Sequence, residues 1–224
     1  MQQVTPRLRR RDMRAIETTF NRAAVRAACA TLASIALMFA AAAAAASGAD
    51  IARKCDQCHG DNGHSKTEDI PSIGGFSEFG IVDLLDSYRN GNRQARAVAL
   101  PDGTETDMQE IAQSLSEDDT MAAAEHYAAQ TWQPHEQTFD AALARRGAAI
   151  HDIKCDKCHS EGGGVKDDDL AIMSGQWRQY LEMEIQDFDA GTRKMAPKMQ
   201  DKYKTLSADD KKAIVEMYIS AGRR

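Results

Sequence analysis

Two six-residue stretches decide how this chain folds: Lys54-Cys55-Asp56-Gln57-Cys58-His59 and, one hundred residues on, Lys154-Cys155-Asp156-Lys157-Cys158-His159. C-x-x-C-H is the attachment signature of haem c. Two thiols add across the two vinyl groups of one haem, and two intervening residues give the sulfurs the required separation. The adjacent histidine then reaches the iron from one face. A single copy would leave a redox-active dithiol or half of a zinc site in contention. Two copies with histidine in register argue against both. A disulfide inside the motif would close too short a loop to stabilise much. The expected cofactors are two covalently bound haem c, held by Cys55, Cys58, Cys155 and Cys158, with His59 and His159 on the irons.

The repeat extends beyond the motifs. Gly75 and Gly175, Tyr88 and Phe188, and Gly91 and Gly191 keep the offset of the cysteines. Further on the register shifts: Met108-Gln109 matches Met199-Gln200, Leu115-Ser116 matches Leu206-Ser207, and Tyr127 matches Tyr218. One unit has been duplicated, with an insertion in the first copy near residues 97–107. Each copy is small enough that an apolar core alone would be marginal. A covalently held haem adds a large apolar slab, which suits an aromatic content of only 6%.

Methionine is the expected second axial ligand, because a thioether is soft and raises the potential of the iron. In the first copy Met108 is the candidate, on a loop seven residues before Leu115, where Ser116 can cap the final helix with Asp119 at its third position. In the second copy the candidates are Met195 and Met199, and register with Met108 selects Met199. Met121, Met173, Met183 and Met217 read as packing residues. His64, His126, His135 and His151 read as non-ligands, solvated or hydrogen-bonded. His59 and His159 each need an acceptor for the free ring nitrogen. The backbone carbonyl of Pro71 is placed to serve the first, and Ala171 stands at that position in the second.

Helical spacing of Phe139, Leu143, Gly147 and Ile150 leads into Cys155, and Ile214, Met217 and Tyr218 form a stripe on the last helix. Gly147 would let the two cross closely, near Tyr218. Residues 79–90 and 176–190 read as further helices, with Trp177 and Tyr180 either as haem-pocket walls or as ordinary helix packing. Strand patterns are absent. The expected fold is all-α, in two haem lobes at 50–130 and 141–224 joined by a connector at 131–140, a plan that resembles two tandem class I cytochrome c domains.

Residues 1–49 hold seven arginines against Asp12 and Glu17, then an uncharged stretch from Ala27 ending in alanines and Ser47-Gly-Ala49. A basic head, an apolar middle and small residues before a polar start read as a secretory signal peptide, hence a periplasmic location. An uncleaved anchor is the alternative, the one route to a membrane. The formal net charge is −6, and the arginine-rich head hides a more acidic body. Phosphate repulsion makes that body a poor nucleic-acid binder.

The stretch Gln130-Thr-Trp-Gln-Pro134, Phe139-Asp140, Gly147, His151-Asp152, Glu161-Gly-Gly163, Gly175-Gln-Trp177, Tyr180-Leu181, Asp187-Phe188 and Arg193-Lys-Met-Ala-Pro-Lys-Met199 narrows the match among tandem dihaem class I cytochromes. It resembles the dihaem cytochrome c subunit of flavocytochrome c sulfide dehydrogenase, over essentially residues 50–224. The resemblance implies an electron-transfer subunit without bond-making chemistry. Its partner would be an FAD-containing sulfide dehydrogenase flavoprotein, and its acceptor a small soluble cytochrome c or a terminal oxidase. The alternative is a free-standing dihaem carrier donating to a terminal oxidase. A dihaem peroxidase would need an open iron, which Met108 and Met199 argue against.

Overall fold

The computed structural model describes residues 50–100 and 102–223; the expected signal peptide lies outside them. Residues 50–59 form helix α1, which carries the first motif from end to end. Helix α2 (Glu78–Arg89) starts where Ser77 accepts a hydrogen bond from the Gly80 amide. The insertion then forms a hairpin of two short strands, β1 (Val98–Ala99) and β2 (Glu105–Thr106), paired antiparallel. This corrects the expectation of no strand: two residue pairs are too few to show an alternating pattern. Helix α3 (Met108–Ser114) follows, capped by Asp107, and α4 (Glu117–Ala128) opens on the Ser116/Asp119 capping box. Each box satisfies two amides that the helix itself leaves unpaired.

The second copy repeats the plan. Helix α5 (Ala141–Lys154) is capped by Asp140 and ends just before Cys155; α6 (Ser160–Gly163) is a single irregular turn. Helix α7 (Arg178–Ala190) ends on Gly191 in the left-handed region. Helix α8 (Pro197–Tyr203) has proline at its start, and α9 (Ala208–Ile219) opens on a Ser207/Asp210 capping box. No helix among the described residues is long and apolar enough to cross a membrane.

Duplication is visible in the backbone bonds. The Gly63 carbonyl accepts from Ile73 and Gly74, as the Gly163 carbonyl does from Met173 and Ser174. Gly75 donates to the Tyr127 carbonyl and Gly175 to that of Tyr218, at 2.8 and 2.7 Å. The two copies therefore share one loop-to-helix closure.

In the second copy α5 crosses α9 at Gly147, as expected. A Cβ there would lie 2.0 Å from the Ala213 carbonyl oxygen, so only glycine lets the helices meet. In the first copy Tyr127, 1% exposed, ties α4 to α1: its hydroxyl donates to the Ala52 carbonyl and lies within bonding distance of Asp56.

The copies interlock. Gln176 is fully buried; its Oε1 accepts from the Ser72 amide and its Nε2 donates to the Ser72 carbonyl, at 3.0 and 2.9 Å. Trp177 donates to the Ser65 carbonyl and Trp132 to that of Ser174. An antiparallel bridge joins Arg93 to Arg193, flanked by bonds from Gln94 to Thr192 and from Lys194 to Asn92. Both guanidiniums converge on the buried carboxylate of Glu184. A satisfied buried network of this kind fixes the relative placement of what it joins.

His135, in the connector, stacks on Trp177 and bonds Ser72 through Nε2. Burial, with His64 nearby, pushes its pKa down to about 4 from an ordinary 6.5. The folded form therefore keeps this ring neutral while the unfolded chain takes up a proton. Its contribution to stability is present above the unfolded value and falls as pH drops from 6.5 towards 4. His135→Gln is expected to flatten part of that acid limb in urea unfolding at a series of pH values. A limb identical to that of the parent protein would contradict the assignment.

Candidate functional site

At the first motif, α1 presents Cys55, Cys58 and His59 on one helix, and Asp107 turns the chain so that Met108 is the first residue of α3. Met108 is thus helical rather than in a loop, because Asp107 caps the amide of Glu110. All four residues line one cavity of about 440 Å³. Ile81, Leu85, Leu115 and Phe76 supply apolar wall, and Arg93 supplies a cation. His59 is 8% exposed, and its Nδ1 lies 2.8 Å from the Pro71 carbonyl oxygen. A carbonyl only accepts, so Nδ1 carries the proton and Nε2 is left as the ligating atom. Burial lowers the pKa of His59, outweighing the opposing Pro71 hydrogen bond and keeping the ring neutral, and raises that of Cys55. Two thiols, an imidazole and a thioether around an apolar slot fit a haem c.

The walls come partly from the other copy. Tyr180, Met183 and Glu184 of α7 line the cavity of the first motif. Tyr180 accepts from Arg93 at 3.2 Å. Tyr180 is therefore a wall, but of the first site. Trp177 is committed to the seam between copies instead. Arg93 and Glu184 were not legible as site residues. The signals available were the register of Arg93 with Arg193, which keeps the motif offset, and the departure of Glu184 from Leu84 at the same offset.

The second motif is built differently. Helix α5 stops at Lys154, so Cys155 to Cys158 form a turn and Cys158 is exposed. The Lys154 ammonium donates to Thr205, just beyond α8, and the charges of Lys154 and Lys202 act on Cys155 against its desolvation. These contacts bring the segment that follows α8 beside the end of α5; Met199, on α8, is half-buried. Met195 lies half-buried in the extended segment before that helix. Burial lowers the pKa of His159, with His151 nearby reinforcing it. Among the described residues His159 makes no bond to Ala171 like that of His59 to Pro71. The structure thus gathers the first quartet around one cavity, and for the second brings Thr205, just beyond the Met199 helix, to the end of α5.

The other histidines stay off the first cavity. His151, 1% exposed, packs edge-on to Tyr218, and His126 packs edge-on to Tyr127.

Comparison with known proteins agrees with this architecture. The profile of the family described as cytochrome C oxidase, cbb3-type, subunit III matches residues 142–217. Cytochrome c4 of Pseudomonas aeruginosa is 28% identical over 160 residues, covering 68% of this chain and 75% of that protein. The thiosulfate dehydrogenase electron acceptor of Stutzerimonas stutzeri is 29% identical over 182 residues, covering 77% and 81%. Reduced cytochrome c4 from Pseudomonas stutzeri superposes with a TM-score of 0.61 at 23% identity, over 79% of this chain and 97% of that one. Thiosulfate dehydrogenase from Marichromatium purpuratum superposes at 0.59 and 22% identity, over 74% of this chain and 36% of that one. With two haem c attachment motifs on a tandem class I cytochrome c fold, the chain is a dihaem c-type cytochrome, an electron carrier similar to the cytochromes c4.

Proposed function

We propose that this carrier is periplasmic and accepts electrons from an enzyme that oxidises a reduced sulfur compound. In this reading Cys55 and Cys58 hold one haem with His59 and Met108 on its iron. Cys155 and Cys158 hold the other, with His159 and Met199. The observation that carries the first ligand set is the single cavity lined by Cys55, Cys58, His59 and Met108; the second set rests on the repeat. Residues 50–130 and 141–224 are the two haem-binding repeats, with 131–140 between them and 1–49 as the exported signal. The haems supply one-electron chemistry; the chain tunes them through ligand identity, burial and hydrogen bonding. A proline-stiffened carbonyl on His59, absent for His159, gives the two imidazole ligands unequal basicity and hence the two irons unequal potentials.

Two sequence observations bear on the donor. The run from Gln130 to Met199 resembles the cytochrome subunit of flavocytochrome c sulfide dehydrogenase, which points to an FAD-containing sulfide-oxidising flavoprotein. The relative that is 29% identical is named a thiosulfate dehydrogenase electron acceptor, which points to a thiosulfate-oxidising donor. Both support a reading downstream of sulfur oxidation, with a small soluble cytochrome c or a terminal oxidase as acceptor. Affinity purification from the native host separates them by whether a flavoprotein or a thiosulfate dehydrogenase comes down. A clean monomer accompanied by neither favours the free-standing carrier.

The ligands are tested by substitution. Met108→Ala and Met199→Ala are each expected to turn one of the two haems high-spin in the absorption spectrum. An unchanged spectrum would reassign that ligand, with Met195 next in line for the second iron.

A further inference from the structure

One face of α7 turns towards the first copy. Tyr180, Met183 and Glu184 line the cavity of the first motif, and Asp187, three residues on, pairs with Arg96. Residues three and four apart share one side of a helix, so a second-copy helix closes the site of the first copy. Of its three cavity residues only Glu184 is charged. Glu184 is buried and accepts from two guanidiniums, Arg93 of the first copy and Arg193 of the second. At the motif offset the two arginines correspond, whereas Leu84 stands for Glu184. The arginines belong to the repeat and the carboxylate does not. Packing alone does not call for it, because apolar side chains of similar volume fill such a seam as well as a buried ion cluster does.

The charges of this cluster reach the motif histidines. Burial is the largest cause lowering the pKa of both His59 and His159; the charge of Arg93 acts in the same direction on the first ring, and that of Arg193 on the second. Arg93 itself lines the first cavity. Around it lie the ring of Tyr88 and the hydroxyl of Tyr180, so the cluster sits among side chains rather than in solvent.

We propose that Glu184, supplied by the second copy, sets the potential of the first haem: its carboxylate offsets the arginine charge at the cavity wall and holds that potential down. This rests on the reading that the first haem occupies the cavity of Cys55, Cys58, His59 and Met108. Reduction adds one electron at the iron, which a negative charge on the wall opposes and a positive one assists. Without the carboxylate both guanidiniums would act unopposed and favour the ferrous form. Because the charges are buried, salt screens them far less than it would surface charges. Glu184 lines the first cavity, and its link to the second motif runs through Arg193, so the first haem responds more.

The test is a redox titration of the full holoprotein at high salt, followed by electron paramagnetic resonance. The ferric signal altered by Met108→Ala identifies the first haem. Glu184→Gln is expected to raise the ferrous-to-ferric ratio of that haem at a given potential at least about threefold, and to move the second haem less. Threefold is roughly 28 mV for one electron, at about 59 mV per tenfold. Arg93→Gln is expected to shift the first haem in the opposite direction, and Glu184→Asp, which keeps the charge, to stay near the parent protein. Lost packing alone does not give opposite signs for the two partners of one pair. Should Glu184→Gln not fold, Arg93→Gln and the double variant, expected to lie between the two single shifts, carry the test. An unmoved first haem in Glu184→Gln, a shift of the same sign in Arg93→Gln, or an equal shift in Glu184→Asp would overturn the proposal. If Met108→Ala altered neither signal, the ligand reading would fail and this proposal with it, an outcome distinct from the other three.

Discussion

Glu184→Leu is expected to destabilise the protein by about 3–5 kcal/mol, the scale for removing one partner of a buried ion pair. The Glu184 side chain is 8% exposed and accepts from Arg93, 6% exposed, and from Arg193, 19% exposed. Arg93 comes from the first copy; Glu184 and Arg193 come from the second. Leucine at 184 would leave two guanidiniums in the seam with no carboxylate, and neither can lose its proton. Burial against Tyr88, over whose ring Arg93 lies at 4.7 Å, gives Arg93 no route back to water. Urea unfolding of the holoprotein checks the figure. A loss below about 1 kcal/mol, the range of an exposed pair, would mean that the seam opens to solvent. Glu184→Gln keeps an acceptor for one arginine and is expected to lose less.

Gly147→Val is expected to cost about 3 kcal/mol or more, at or beyond the upper end of ordinary overpacking. The obstacle is backbone: even a methyl group at 147 would meet the Ala213 carbonyl oxygen at 2.0 Å and the Met217 Cβ at 2.9 Å. A helix carbonyl cannot swing away as a side-chain tip can, so α5 and α9 must separate along their length. With about 2–4 °C of midpoint per kcal/mol for a chain of this size, thermal unfolding should fall by roughly 6–12 °C. An unchanged midpoint would show that these helices do not cross here. Because α5 delivers Cys155, a lowered yield of second-site haem attachment is expected alongside.

The helical fold was legible because its signals are local. Ser116 with Asp119 and Ser207 with Asp210 announced two helix starts, and both capping boxes form. Gly147 and Tyr218 announced the crossing of α5 and α9 through their spacing from the motif. The carbonyl of Pro71 could be placed because chain length alone limits what can reach His59. The β1–β2 hairpin was illegible because two ladder pairs leave no periodicity. Met108 was read as loop because a seven-residue helix capped by Asp107 is too short to show a repeating face.

The seam between copies was hidden for a different reason. Tyr180 lines the first cavity and Trp177 bonds Ser65 because the two copies pack against each other about the Arg93–Arg193 bridge. Nothing in the spacing of one copy states which residues its twin will contact. The duplication fixed the elements but left their mutual placement to Gln176, Glu184 and the connector. These residues have no matching partner in the first copy: Phe76 stands for Gln176 and Leu84 for Glu184. Departure from the repeat was the available sign that a position serves the pair rather than the unit.

The most direct measurement is peptide mass mapping of the mature protein, made in cells that carry out haem c maturation. The account predicts one haem mass on the peptide holding Cys55 and Cys58, a second on that holding Cys155 and Cys158, and no alkylation of any of the four sulfurs. Free, alkylatable thiols at either pair would contradict it.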